Sequence, residues 1–135
     1  MISARYLVCF GDTDQMGVVY YANYLRMFEF SRVIFMRGCG LPYREVEAAG
    51  FSLPVAEAHV NYLVPAHFED ELSIDAALVK LGRVSAEFHY RVRRGDQIIA
   101  TGMTRHACVD RSGRPVRIPE SMRQRLPVDA AGIFD

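Results

Sequence analysis

Two carboxylates, Asp12 and Asp14, stand in one short segment that continues through Gly17 and Val18 into three tyrosines, Tyr20, Tyr21 and Tyr24. A carboxylate can take a proton from water or attack an electrophilic carbonyl directly. A helix starting just behind it would offer free N–H groups and a positive dipole end, which stabilise the oxyanion that such an attack creates. Both parts of an acyl-transfer site therefore lie close together in the chain. A plainer use exists, because Asp and Thr ahead of a helix commonly cap its first turn. On spacing alone, capping is the better reading for Asp12, Thr13 and Asp14. Gly17 suits a sharp turn with or without a function. The tyrosines suit an acyl pocket or an aromatic stacking surface, and equally a core.

The flanking pattern supplies the elements that would hold this loop. Tyr6 to Phe10 reads as an apolar strand, and Tyr21 to Arg37 has helical length. The polar residues of that helix, Asn23, Arg26, Glu29 and Arg32, recur every three positions and form one stripe. The rest of its surface is apolar, so it must be covered on most sides, and Glu29 between two arginines reads as a salt-bridged face. Gly38, Gly40 and Pro42 end the helix, and Tyr43 to Ala49 adds a short helical turn. The period then becomes strand-like. Ser52 to Val64 reads extended, Leu72 to Leu78 alternates, Val84 to Arg93 alternates strictly, and Gln97 to Val109 forms a long last strand. Pro119 to Leu126 suits a short terminal helix. One strand, one apolar helix and four further strands in an antiparallel meander give an α+β fold, about five strands wrapped around a single central helix.

Composition excludes several classes. At 135 residues the chain reads as a single domain, 1–135. Sixteen basic residues balance sixteen acidic ones, which gives no electrostatic footprint for nucleic acid or an anionic membrane. No apolar run is long enough to span a bilayer, and the N-terminal residues lack the apolar core of a signal peptide, so the expected location is the cytoplasm. Cys9, Cys39 and Cys108 are widely spaced and suit reduced thiols. His59, His67, His89 and His106 lack metal-ligand spacing, and no metal is assigned.

The run Asp12-Thr13-Asp14-x-x-Gly17-Val18-Val19-Tyr20-Tyr21-x-x-Tyr24 resembles the hotdog-fold acyl-CoA thioesterases of the 4-hydroxybenzoyl-CoA thioesterase-like group. Tyr62-x-x-Pro65-Ala66 and Lys80-Leu81-Gly82-Arg83-Val84-Ser85 agree with it. The resemblance reverses the reading of Asp14 but not of Asp12, which stays a loop-structuring or capping residue. It implies that Asp14 is the catalytic carboxylate, acting as general base or nucleophile, and that the backbone N–H of Tyr21 polarises the thioester carbonyl. Many relatives carry His where Tyr21 stands; the backbone role survives that change, and a side-chain acid or base role does not carry over with it. Gly17, Val18, Tyr20 and Tyr24 would contact the substrate, and Arg83 and Ser85 would lie near the CoA phosphates. It also implies active sites built between protomers paired edge to edge, hence a homodimer at least and commonly a homotetramer. Coenzyme A is part of the substrate, and no separate cofactor is implied.

Rival readings are weaker. A phosphatase-type D-x-D motif expects a β-branched residue where Met16 stands, and a calcium loop fails at Met16 and at Asn23. A dehydratase on this fold would present a His along the helix, and none lies between Tyr20 and Arg37. A domain that binds acyl-CoA without cleaving it has no need of Asp14. An acyl-carrier-protein thioester is an alternative substrate.

Overall fold

The computed structural model describes residues 1–132, and everything below concerns those residues. In chain order they form β1 (Ile2–Leu7), a 3₁₀ turn (Phe10–Asp12), α1 (Asn23–Gly38) and α2 (Tyr43–Ala48). Then come β2 (Val55–Tyr62), β3 (Glu71–Leu81), β4 (Ser85–Arg94), β5 (Gln97–Ala107) and α3 (Glu120–Arg123). The strands make one antiparallel sheet in the order β1-β3-β4-β5-β2. Only β3, β4 and β5 meander. The expected four-strand meander is corrected here: β2 pairs with β5, not β3, so β1 and β2 occupy the two edges.

The inward residues of β4, Ala86, Phe88, Tyr90 and Val92, are buried under α1 in the alternation expected of a half-covered strand. Phe28 of α1 stacks on Tyr90 with ring centroids 4.4 Å apart, and Phe35 meets Phe88 edge-on at 5.4 Å. Gly102 of β5 lies beneath the Phe28 ring. A Cβ at that position would collide with the ring and with the His59 carbonyl.

The helix is less covered than its composition suggested. Tyr24, Met27, Phe28, Ser31, Phe35 and Met36 are buried, but Leu25, Phe30 and Val33 remain exposed, because a single sheet covers a single face. Glu29 makes no ion pair with Arg26 or Arg32 among the described residues. Arg32 instead turns inward, and its Nη1 donates to the Tyr90 hydroxyl at 3.0 Å.

That bond opens a buried polar chain. Tyr90 and Thr104 share a hydrogen bond of 2.6 Å, Thr104 and His106 Nε2 one of 2.8 Å, and His106 Nδ1 donates to the Leu53 carbonyl at 2.9 Å. Burial, helped by the Arg32 charge, lowers the His106 pKa from 6.5 to about 4. The imidazole is therefore neutral, with its proton on Nδ1. On the opposite face of the sheet, buried Asp75 accepts from Arg93 at 2.7 and 3.0 Å, from Arg91 at 2.9 Å and from Ser3 at 2.5 Å. Burial alone would raise its pKa, but the hydrogen bonds from Arg93, Ser3 and Arg91 outweigh that and hold the carboxyl below the usual carboxylate range.

Candidate active site

The loop between β1 and α1 is organised by Asp12. Its carboxylate accepts from the Cys9 N–H at 2.8 Å and from the Tyr6 hydroxyl at 2.9 Å, and the side chain is buried. Burial, then this bond and the charge behind it, push the Tyr6 hydroxyl up to about 12. These contacts end the first strand at Leu7, short of the expected Phe10, by winding Phe10–Asp12 into a 3₁₀ turn. Asp12 thus structures the loop, as the sequence indicated, and does so without capping α1.

Beyond it the chain doubles back as a small hairpin. Thr13 bridges Val19, the Asp14 N–H donates to the Val18 carbonyl at 2.9 Å, and the Gly17 N–H returns to the Asp14 carbonyl at 3.0 Å. Gly17 takes φ +80°, a left-handed conformation that costs glycine little. Val18 bridges His67 and the Val19 N–H donates to the Ala66 carbonyl at 2.8 Å, which docks the hairpin against the loop after β2. Asp14 sits at the turn, partly exposed. Its Oδ1 accepts from the Met16 N–H at 2.9 Å, and no donor reaches Oδ2 among the described residues.

No side chain caps α1, whose N-cap is Ala22. The expected start at Tyr21 moves to Asn23, because Tyr20–Ala22 form a turn closed by Asn23 N–H to Tyr20 carbonyl at 2.9 Å. The Asn23 side chain anchors this turn by donating to the Asp12 carbonyl at 2.8 Å. The N–H groups of Tyr21 and Ala22 have no acceptor among the described residues. The result is an uncapped helix N-terminus with two open N–H groups, reached by a loop that carries a carboxylate with a free oxygen.

The three tyrosines divide. Tyr24 is 3% exposed and belongs to the core, whereas Tyr20 and Tyr21 are 41% and 61% exposed. The rings of Tyr20 and Tyr21 lie 4.6 Å apart. The Tyr20 hydroxyl is raised above its ordinary value first by the neighbouring Tyr21 side chain, with a small addition from the Asp14 charge. A cavity of about 300 Å³ opens between Val19, Tyr21, Tyr24, Tyr62, Leu63, Val64 and Pro65. Asp14 does not line it. A larger hollow of about 480 Å³, walled by His59, Asn61, Glu87, His89 and Thr101, touches neither the Asp14 loop nor the start of α1. Its lining mixes these polar side chains with Val79, Met103 and Ala130 and includes neither Asp14 nor Tyr21.

Tyr62 was not singled out as a site residue by sequence reasoning. Its hydroxyl donates to the Tyr21 carbonyl at 2.9 Å, and its ring meets Tyr24 edge-on at 5.5 Å. The one signal was its place in the Tyr62-x-x-Pro65 stretch.

Arg83 and Ser85 lie elsewhere. They occupy the turn joining β3 to β4, closed by Gly82 N–H to Ser85 carbonyl at 2.8 Å. The Asp14 loop leaves β1 beside Glu71, at the other end of the 11-residue β3. At about 3.3 Å per residue the two groups stand roughly 30 Å apart. One protomer does not bring them together.

The family called the Thioesterase-like superfamily matches residues 8–126. The chain belongs to that superfamily. A solved protein of Thermus thermophilus, described as hypothetical, is 38% identical, covers 92% of this chain and 95% of its own, and superposes with a TM-score of 0.89. A 1,4-dihydroxy-2-naphthoyl-CoA hydrolase of Nostoc punctiforme is 32% identical over 88% of this chain and 82% of its own length. An acyl-CoA thioesterase of Haemophilus influenzae is 27% identical over 86% and 87%. The five-stranded antiparallel sheet packed on one long helix is the hotdog fold of such thioesterases. Membership makes thioester hydrolysis the reaction class of this chain.

Proposed function

We propose that the chain hydrolyses an acyl-CoA thioester to the free acid and CoA, with Asp14 as base or nucleophile and the Tyr21 N–H polarising the carbonyl. The observation that carries this is the uncapped start of α1, with two open N–H groups, on the same loop as a carboxylate that no protein donor fully occupies. A thioester carbonyl is already electrophilic, so the site needs only these two parts. Asp14 either removes a proton from the attacking water or adds to the carbonyl to give an anhydride that water then opens. In both routes the C–S bond breaks and CoA leaves as its thiolate, which takes up the proton that the attacking water gave up, so that Asp14 is regenerated as a carboxylate.

The free edge of β2 supports a two-protomer site. If two copies pair antiparallel through β2, the Val55 end of one meets the Tyr62 end of the other. Val55 pairs with His106 and Ser85 with Ala107, so the Arg83–Ser85 turn belongs to the Val55 end. A second copy would thereby present Arg83 and Ser85 on the side of Asp14 and Tyr21, where the phosphates of CoA need cations. The relatives' names, a naphthoyl-CoA hydrolase among them, and the tyrosines around the cavity support an aromatic acyl group.

The test is thiol release from aromatic, short and long acyl-CoAs and from an acyl-carrier-protein thioester, with wild type and Asp14→Asn compared. Turnover of an aromatic acyl-CoA that collapses in a folded Asp14→Asn supports the proposal. Binding without turnover in wild type would make the chain an acyl-CoA-binding module. Sedimentation of the purified protein tests the dimer.

A further inference from the structure

We infer that Tyr62 is a positioning residue for thioester cleavage: its hydroxyl fixes the Tyr21–Ala22 peptide plane, so that the Ala22 N–H faces the substrate carbonyl as a second donor beside the Tyr21 N–H. This rests on the reading of the Tyr21 N–H as a carbonyl-polarising donor. The starting point is a carbonyl that the helix leaves unused. In a regular first turn the Tyr21 carbonyl would accept from the Leu25 N–H. Here the Leu25 N–H donates to the Ala22 carbonyl at 3.2 Å, and the Tyr62 hydroxyl takes the Tyr21 carbonyl at 2.9 Å.

The neighbouring Tyr20 carbonyl is held by the Asn23 N–H at 2.9 Å. Both peptide planes that meet at the Tyr21 Cα are thus anchored through their oxygens. In a trans peptide the N–H points opposite to the C=O. Anchoring the two oxygens therefore aims the N–H groups of Tyr21 and Ala22 away from those anchors. A donor on the Tyr21 carbonyl also polarises the Tyr21–Ala22 peptide and strengthens the bond its N–H can offer an oxyanion.

The Tyr62 ring is itself held. It meets Tyr24 edge-on at 5.5 Å and Tyr21 at 6.5 Å, which fixes where the hydroxyl reaches. Burial, and then the Tyr21 side chain, raise the hydroxyl above its ordinary value, so it stays a proton donor across the neutral range. Tyr62 also ends the edge strand β2, so the bond ties the helix start to the edge of the sheet.

Tyr62→Phe keeps the ring contacts and removes only the hydroxyl, and the residue is 52% exposed, so folding is not at stake. For an aromatic acyl-CoA we expect kcat to fall about 10-fold with KM changed by less than about twofold. A second readout uses a ketone analogue of benzoyl-CoA, methylene in place of sulfur and ¹³C at the carbonyl, which cannot be hydrolysed. Its C=O stretch should move to lower frequency on binding wild type, and the move should shrink in Tyr62→Phe. Unchanged kcat, an unchanged stretch, or a loss that falls on KM alone would each overturn the inference. The infrared measurement does not involve Asp14 chemistry, so full activity in Asp14→Asn would sink the base assignment while leaving this result readable.

Discussion

Two hydrogen-bonded chains link the helix to the sheet, and they end differently. The inner one runs from Arg32 through Tyr90, Thr104 and His106 to the Leu53 carbonyl, and each link has a partner on both sides. The outer one runs from Tyr62 to the Tyr21 carbonyl and from Asn23 to the Tyr20 and Asp12 carbonyls, and it leaves two N–H groups open. No buried side-chain nitrogen or oxygen lacks a partner among the described residues, so the open groups of the molecule are at its surface and in its backbone. A closed chain specifies packing. An open one keeps donors for something that arrives from outside.

This contrast can be broken from either side. Asp14→Asn should give the largest effect: a fall in kcat of roughly 10²- to 10⁴-fold, with an unchanged melting temperature. A loss of stability instead would mean that Asp14 belongs with the closed chain. Acid should act on the inner chain. The His106 pKa lies lower folded than unfolded, so as pH falls the unfolded chain takes the proton first. Stability present above about pH 6.5 should therefore drop by on the order of 3 kcal/mol as pH approaches 4. Urea unfolding at several pH values would measure this, and His106→Gln should flatten the slope in that window. Thr104→Val cuts the same chain at its centre and should cost about 1–3 kcal/mol in urea unfolding, with kcat per folded molecule unaltered. Arg83→Ala sharpens the comparison at its weakest point. KM for acyl-CoA should rise about two- to fivefold, less at high salt, with kcat intact.

Much of the fold could be read because it is local. The alternation of Ala86, Phe88, Tyr90 and Val92 with polar neighbours already states which side of β4 is covered. The Asp14 turn was also readable, since Gly17 marks where the chain reverses. What stayed hidden was decided at long range. The place of β2 depends on a crossing that carries residues 63–70 over to β3 beside β1, and no periodicity encodes it. Spacing put Glu29 next to Arg26 and Arg32, but Arg32 found a partner 58 positions away. Tyr62 acts on a carbonyl 41 positions earlier, so its contact with Tyr21 was invisible to any local pattern. The N-terminus of α1 shifted by two residues for a similar reason, through the hold of Asn23 on Asp12.

Gly102 carries a mechanical consequence. The absent side chain lets Phe28, and with it the helix, ride low over the sheet. A methyl group there would act as a shim under α1, one and a half turns from its first residue. The lift would be transmitted to the one place where a hydroxyl on the sheet edge must span a single hydrogen-bond length to a carbonyl at the helix start. A strand residue without a side chain thus works as the height gauge of the helix start over the sheet edge.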